Sequence, residues 1–134
     1  MKVLLLIVCV CIGVSRQNNF EKATDDFEDV LDKKAKECND KFHFNRQQLD
    51  SMLKIAGDLP NDRNSKCYLT CLYIHLNIVD KSFTTLTDDV KIYLEVDEAT
   101  AEIIYNKCKG LKGEDNCDKV FNAVNCIHNM LRNL

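Results

Sequence analysis

The chain has 134 residues, of which 46% are hydrophobic and 29% charged, and its formal net charge at pH 7 is −3. This length suits one domain with one core. A mildly acidic chain lacks the basic surface that marks nucleic-acid binders, so we expect no nucleic-acid partner. One proline and four glycines leave few breaks in a pattern that recurs mostly at helical spacing.

A short apolar segment opens the chain. Lys2 precedes an apolar run from Val3 to Val14, and small residues lie at its end. This order of features is typical of a secretory signal peptide. The run is shorter than the roughly 20 residues that a membrane-spanning helix needs, so we expect no membrane anchor. We therefore predict a signal peptide in residues 1–15, a helical domain in residues 16–134, and a secreted, extracellular protein.

Two amphipathic helices are predicted next. In the first, one face of the helical wheel collects Phe20, Phe27, Leu31 and Cys38. Asn45 and Gln48 have the spacing of a capping box at the start of the second helix. Gly57 and Pro60 end that helix.

The third predicted helix runs from about Ser65 to Ile78 and has apolar residues on two opposite sides. A helix that is apolar nearly all round is a buried one, so we expect it at the centre of the fold. One of its faces carries Cys67 and Cys71, which lie one turn apart. The opposite face is predicted to point into the interior.

Three further helices complete the prediction. The segment from Val90 to Val96 alternates like a strand but also fits a helix face. We predict a helix there, because a lone strand would leave its backbone groups unpaired and no other segment resembles a partner strand. The last two helices are predicted at residues 100–109 and 115–131.

Six of the eight cysteines follow residue 20, with gaps of 28, 3, 36, 8 and 8 residues between them. They are Cys38, Cys67, Cys71, Cys108, Cys117 and Cys126. The other two, Cys9 and Cys11, fall in the predicted signal peptide. An even set of cysteines in an exported chain predicts a disulfide framework, although the residues alone allow fifteen pairings.

This spacing on six helices resembles that of the six-cysteine insect odorant-binding proteins, the pheromone-binding and general odorant-binding family. The resemblance spans nearly the whole predicted domain and is most specific at Cys67-Tyr-Leu-Thr-Cys71 and at the last three cysteines. It implies an all-α fold, a compact six-helix, disulfide-stapled shell around an internal hydrophobic cavity. The bridges that the resemblance implies are Cys38–Cys71, Cys67–Cys117 and Cys108–Cys126.

The disulfides also suggest a hollow interior on energetic grounds. A domain of this length does not need bridges to make up for a small core. An empty pocket of about 300 Å³ would cost roughly 7 kcal/mol, and each bridge contributes about 2 to 4 kcal/mol. We therefore hypothesise that the framework holds open a ligand pocket, the alternative being durability outside the cell.

The predicted pocket takes its lining from the second, third and last helices. The candidate residues are Leu53, Leu69, Tyr73, Leu76, Phe121, Val124, Ile127 and Leu131. Each of them has an ordinary core contact as its alternative role. Eight residues follow Cys126, so we expect any lid to be short and built from Met130, Leu131 and Leu134.

Two of the residues near this pocket carry polar groups. Tyr73 offers a phenol that needs a hydrogen-bond partner when buried, and a ligand oxygen would supply one. His128 lies on the apolar side of the last helix. Burial would keep it neutral, and acidification would then charge it and release ligand, which makes it a candidate pH switch. The alternative is a histidine near the chain end that reaches solvent.

Signatures of catalysis are missing from the sequence. It contains neither the Gly-x-Ser-x-Gly elbow nor the His-Glu-x-x-His zinc pair. A zinc site of Cys117, Cys126 and His128 is disfavoured, because the cysteine gap is not that of a zinc finger and export favours disulfides. We expect no enzyme activity, no cofactor and no metal.

The resemblance implies a secreted carrier that binds small hydrophobic molecules, odorants or pheromones, for transport through aqueous lymph. Its expected partners are a small hydrophobic ligand and, as a candidate, an odorant receptor, with the chain a monomer or weak homodimer. One alternative is a carrier or scavenger of lipids or amines in saliva, venom, haemolymph or seminal fluid. Another is a disulfide-stapled secreted protein with a solid core that acts by surface contact.

Overall fold

The computed structural model describes residues 20–134, and the predicted signal peptide lies outside this range. Seven helical elements follow one another: α1 (20–34), α2 (Lys36–Phe42), α3 (Arg46–Leu53), α4 (Arg63–His75), a 3-10 helix (Asp88–Tyr93), α5 (Glu98–Cys108) and α6 (Asn116–Arg132). The described part of the chain has two isolated β-bridges and no strand. The predicted all-α fold is confirmed. Within residues 20–134, none of the helices combines the length and apolar character of a membrane span.

The first predicted helix is divided in two. At Ala35 the backbone leaves helical geometry, with φ −126° and ψ 27°. Ala35 is fully buried, and α2 beyond it packs against α4, to which Cys38 is bonded through Cys71. A helical wheel does not detect this break, because alanine is the best helix former and tertiary packing overrides its preference.

Local capping sets the start of the longer helices. Asn45 and Gln48 form the predicted capping box at α3, with each side chain bonded to the other residue's backbone N–H. Aspartates at 62, 97 and 115 accept backbone hydrogen bonds at the starts of α4, α5 and α6. A short polar side chain satisfies an N–H group that the helix itself leaves unpaired. α3 ends at Leu53, before Gly57, whose φ of 93° no helix continues.

Helix α4 lies at the centre of the fold, as predicted, and packs against α6 and α2. It ends at His75 rather than near Ile78, because Asn77 adopts a left-handed backbone with φ 60°. It is also less completely buried than predicted, since the apolar residue Ile74 is 44% exposed. Tyr68 and Leu72 are fully buried on its inner side.

Three disulfides tie the helices together. Cys38–Cys71 joins α2 to α4, Cys67–Cys117 joins α4 to α6, and Cys108–Cys126 joins α5 to α6. These are the same pairs that the resemblance implied. Two neighbouring helices are therefore linked to α4 from positions one turn apart.

The segment with the ambiguous pattern is helical and not a strand. It forms a 3-10 helix, Asp88–Tyr93, in place of the full α-helix that we predicted. Val90 on its inner side and Leu94 directly after its end are buried, while Ile92 is 71% exposed. Short 3-10 helices are typical connectors between longer helices, and this one covers one side of the core.

Candidate functional site

A mainly apolar cavity of about 70 Å³ lies between α1, α3, α4, the 3-10 helix and α6. Its lining consists of Phe20, Ala23, Thr24, Phe27, Leu53, Tyr73, Ile78, Val90, Tyr93, Leu94, Val124, Ile127, His128 and Leu131. The volume is smaller than the pocket of about 300 Å³ from which we argued for a hollow core. A ligand larger than a few atoms would therefore require the walls to move.

Helix α6 supplies a continuous face of this cavity. Val124, Ile127, His128 and Leu131 all line it. Residues three, four and seven positions apart share one side of a helix, so one face of α6 presents all four side chains together. The N-terminal end of α6 is held to α4 by the Cys67–Cys117 bridge. The wall is thus attached to the central helix.

Five of the eight predicted lining residues border the cavity: Leu53, Tyr73, Val124, Ile127 and Leu131. The other three, Leu69, Leu76 and Phe121, are buried in the core and do not line it. A helical wheel identifies which side of a helix is buried, but a buried side chain need not border the cavity. The ring of Phe121 instead lies under the Lys66 ammonium, 5.2 Å from it.

Three aromatic rings from three elements form one wall. Phe27 of α1 packs edge-on against Tyr73 of α4, with ring centroids 6.4 Å apart. It packs in the same way against Tyr93 of the 3-10 helix at 5.7 Å. Edge-to-face contacts of this kind stabilise a specific ring arrangement. Sequence reasoning missed the contribution of α1 and the 3-10 helix, although the apolar face of α1 was already visible.

Tyr73 and Thr24 place hydroxyl groups at the cavity. Burial raises the pKa of Tyr73, so its phenol is neutral over the physiological range. The Thr24 hydroxyl donates to the Phe20 carbonyl at 3.0 Å, which satisfies its donor within α1. Of the two, Tyr73 is therefore the residue whose hydroxyl could hydrogen-bond a ligand.

His128 is buried at the cavity wall, with 5% of its surface exposed. The alternative in which it reaches solvent is wrong. Its Nε2 lies 2.9 Å from the Leu53 carbonyl oxygen. Burial lowers the pKa of His128, and the bond to the Leu53 carbonyl opposes this only in part. Whether His128 acts as a pH switch stays a prediction.

The comparison with known families decides the class of this protein. The model of the PBP/GOBP family matches residues 21–130, a stretch that holds all six disulfide cysteines and nearly all of the cavity lining. The chain belongs to the PBP/GOBP family. It is also 27% identical to General odorant-binding protein 19d of Drosophila melanogaster over 140 residues, which cover 97% of this chain and 89% of that protein.

Members of the PBP/GOBP family are binding proteins and carriers and are not known for catalysis. The family also implies small hydrophobic ligands, in keeping with an apolar cavity. The chain therefore has the character of an odorant-binding carrier.

A second cavity of about 420 Å³ adjoins the first in this PBP/GOBP protein. Phe20, Ala23, Leu94 and Leu131 line both cavities and so lie between them. The outer cavity also reaches Leu134 and the polar segment from Glu95 to Asp97. Of the predicted lid, Leu131 and Leu134 are present there, while the Met130 sulfur lies 3.7 Å from the Cys108 sulfur.

Two clusters of potential metal ligands occur within residues 20–134. In the first, Cys38 and Cys71 are bonded to each other beside His75, so neither sulfur is a thiolate. In the second, Asp25 and Asp50 hold the Lys54 ammonium at 2.9 and 3.0 Å. The third member of that cluster is Glu28, and the Lys54 ammonium already pairs with the other two carboxylates.

Proposed function

We propose that this protein is a secreted carrier that takes small hydrophobic odorants or pheromones into the cavity bordered by α6 and transports them through aqueous lymph toward an odorant receptor. The observation that carries the proposal is the apolar cavity itself, in a chain of the PBP/GOBP family. Concave, mainly apolar sites with few polar groups are typical of small-molecule binding.

Ligand entry involves the residues between the two cavities. Phe20 and Leu131 are half-buried, whereas most of the inner lining is buried. Displacing these two side chains would join the inner cavity of about 70 Å³ to the outer one of about 420 Å³. The joined space is large enough for a chain of about ten carbons. Entry then breaks the contacts of the Phe20 ring with the His128 imidazole and the Arg132 guanidinium, whereas Leu131 leaves a half-buried position.

The experiment is displacement of a fluorescent apolar probe by a panel of volatile and non-volatile compounds. Wild-type protein is expected to bind the probe saturably and to release it to members of the panel. The variant Val124→Phe places extra volume in the inner cavity. Accommodating the probe beside the larger ring would overpack the site, which costs about 1 to 3 kcal/mol, so we expect probe affinity to fall about tenfold or more.

Ile103→Phe is the matched control, because Ile103 is 63% exposed on α5 and does not line the cavity. It should bind the probe like the wild type. A folded Val124→Phe protein with wild-type affinity would place the binding site elsewhere. Absence of saturable binding in the wild type would favour the solid-core protein that acts through its surface.

A further inference from the structure

One ring nitrogen of His128 is buried without a partner. Its Nε2 faces the Leu53 carbonyl oxygen at 2.9 Å. A carbonyl oxygen only accepts, so Nε2 carries the proton. In a neutral imidazole the other nitrogen, Nδ1, is then an acceptor. This Nδ1 is buried and has no hydrogen-bond partner among residues 20–134.

The surroundings of His128 favour its neutral form. The Phe20 ring packs edge-on against the imidazole, with centroids 5.9 Å apart. The Arg132 guanidinium lies over the same Phe20 ring at 4.8 Å, which adds a positive charge nearby. Asp58 is the opposing charge, but its carboxylate accepts from Asn125 and Asn129 at 3.3 and 2.9 Å. Burial and Arg132 disfavour the imidazolium, whereas the Leu53 carbonyl, the Asn129 side chain and Asp58 favour it, and the net effect lowers the pKa of His128.

An unpaired buried acceptor is costly, and a donor that reaches it removes that cost. The ring of His128 lines the inner cavity, where a bound ligand would lie, but Nδ1 itself is fully covered. A ligand reaches it when a neighbouring side chain moves, and the Phe20 ring, which ligand entry would displace, packs against the imidazole. Ligands with an O–H group have such a donor, whereas ethers, esters and alkanes have none. The difference in affinity between two ligands then depends on whether the site's polar atom is left unpaired.

We propose that Nδ1 of His128 is the specificity-determining acceptor of this cavity and selects neutral apolar molecules with one hydroxyl donor, that is, medium-chain alcohols, over ethers and alkanes of the same size. The proposal rests on the proposed function. Tyr73 has a different role in this arrangement, because its phenol donates to the ligand oxygen, whether that of an alcohol or of an ether, while the hydroxyl proton of the alcohol goes to Nδ1. It therefore anchors an oxygen without distinguishing the two classes.

The test compares 1-decanol, its isomer methyl nonyl ether, and undecane in displacing the fluorescent probe. The measured quantity is the ratio of decanol affinity to ether affinity. Differences in the hydration of the two ligands cancel when this ratio is compared between variants. One buried hydrogen bond changes the ratio by about fivefold.

Two substitutions at one position separate the two nitrogens. In His128→Gln, the amide N–H can still donate to the Leu53 carbonyl, but the acceptor at Nδ1 is lost. In His128→Asn, the shorter amide places an oxygen near the position of Nδ1. We expect the ratio to fall about fivefold in His128→Gln and to be retained in His128→Asn and in Tyr73→Phe.

The outcomes are distinguishable. If none of the three compounds displaces the probe from the wild type, the proposed carrier function fails. If all three displace it, and the ratio in folded His128→Gln equals that of the wild type, the acceptor proposal alone is overturned.

A measurement on the unsubstituted protein guards against variants that do not fold. The ¹⁵N resonance of the unprotonated Nδ1 of His128 should move upfield when decanol is added and stay in place with methyl nonyl ether. Equal responses to the two ligands would overturn the proposal.

Discussion

At the scale of single residues, Glu28 of α1 is an ionisable group buried in the fold. Its side chain is 1% exposed, with Oε2 at 3.4 Å from the Arg46 guanidinium. Arg46 also pairs with Asp29 and Asp32, so its charge is shared among three carboxylates. Burial first, and then the neighbouring Asp50, raise the pKa of Glu28 from 4.5 to about 7.

Because the folded protein binds this proton more tightly than the unfolded chain does, the contribution of Glu28 favours folding at low pH. It is lost as the pH rises from about 4.5 to about 7. Glu28→Gln should therefore raise the free energy of unfolding at pH 8 by about 2 to 3 kcal/mol and change it little at pH 4. Urea denaturation at both pH values measures this.

Glu21→Gln, on an exposed position of α1, is the control and should change the free energy of unfolding little. An equal effect of Glu28→Gln at pH 4 and pH 8 would contradict the prediction.

At the scale of elements, α6 depends on the cap at its start. The Asp115 carboxylate accepts from the Asp118 backbone N–H at 2.9 Å and pairs with Arg63 of α4. These two interactions lower the pKa of Asp115. Since α6 provides a face of the cavity and two of the six bridged cysteines, its cap supports the site from a distance.

Asp115→Ala should lower the free energy of unfolding by about 1 kcal/mol, which is typical of a lost N-cap. Asp115→Asn keeps a capping oxygen and removes only the charge, so it should lose clearly less, because exposed ion pairs contribute little. Thermal unfolding followed by circular dichroism measures both. Equal losses in the two variants would show that the ion pair, and not the cap, stabilises the helix.

At the scale of the whole molecule, each of the three bridges attaches to α4 or α6, the two cavity-lining helices that carry cysteines. Cys67–Cys117 joins positions 50 residues apart and links α4 to α6, both of which line the cavity. Replacing both cysteines by serine should lower the free energy of unfolding by about 4 kcal/mol on the chain-entropy estimate. Urea denaturation of the double variant measures this.

Full reduction extends the same argument to binding. Saturable probe binding should be lost when all three bridges are reduced, because α4 and α6, two walls of the cavity, are then no longer held to each other or to their neighbours α2 and α5. Binding that survives full reduction would contradict the hypothesis that the framework maintains the pocket, although it would leave the carrier function intact.

The helical class, the starts of α3 and α6, and the central position of α4 could all be predicted from the amino-acid pattern. These features depend on local patterns: hydrophobic periodicity, and short polar residues that pair with free backbone N–H groups. The disulfide pairs came from the resemblance, since spacing alone leaves the pairing open.

Which buried faces meet at the cavity depends on how the helices pack together. Leu69 and Val124 follow the same kind of periodic pattern, yet only Val124 borders the cavity, because a pattern shows that a face is buried and not which element covers it. The break at Ala35 and the unpaired nitrogen of His128 have the same origin. Both depend on contacts between residues far apart in the chain, and local periodicity carries no information about such contacts.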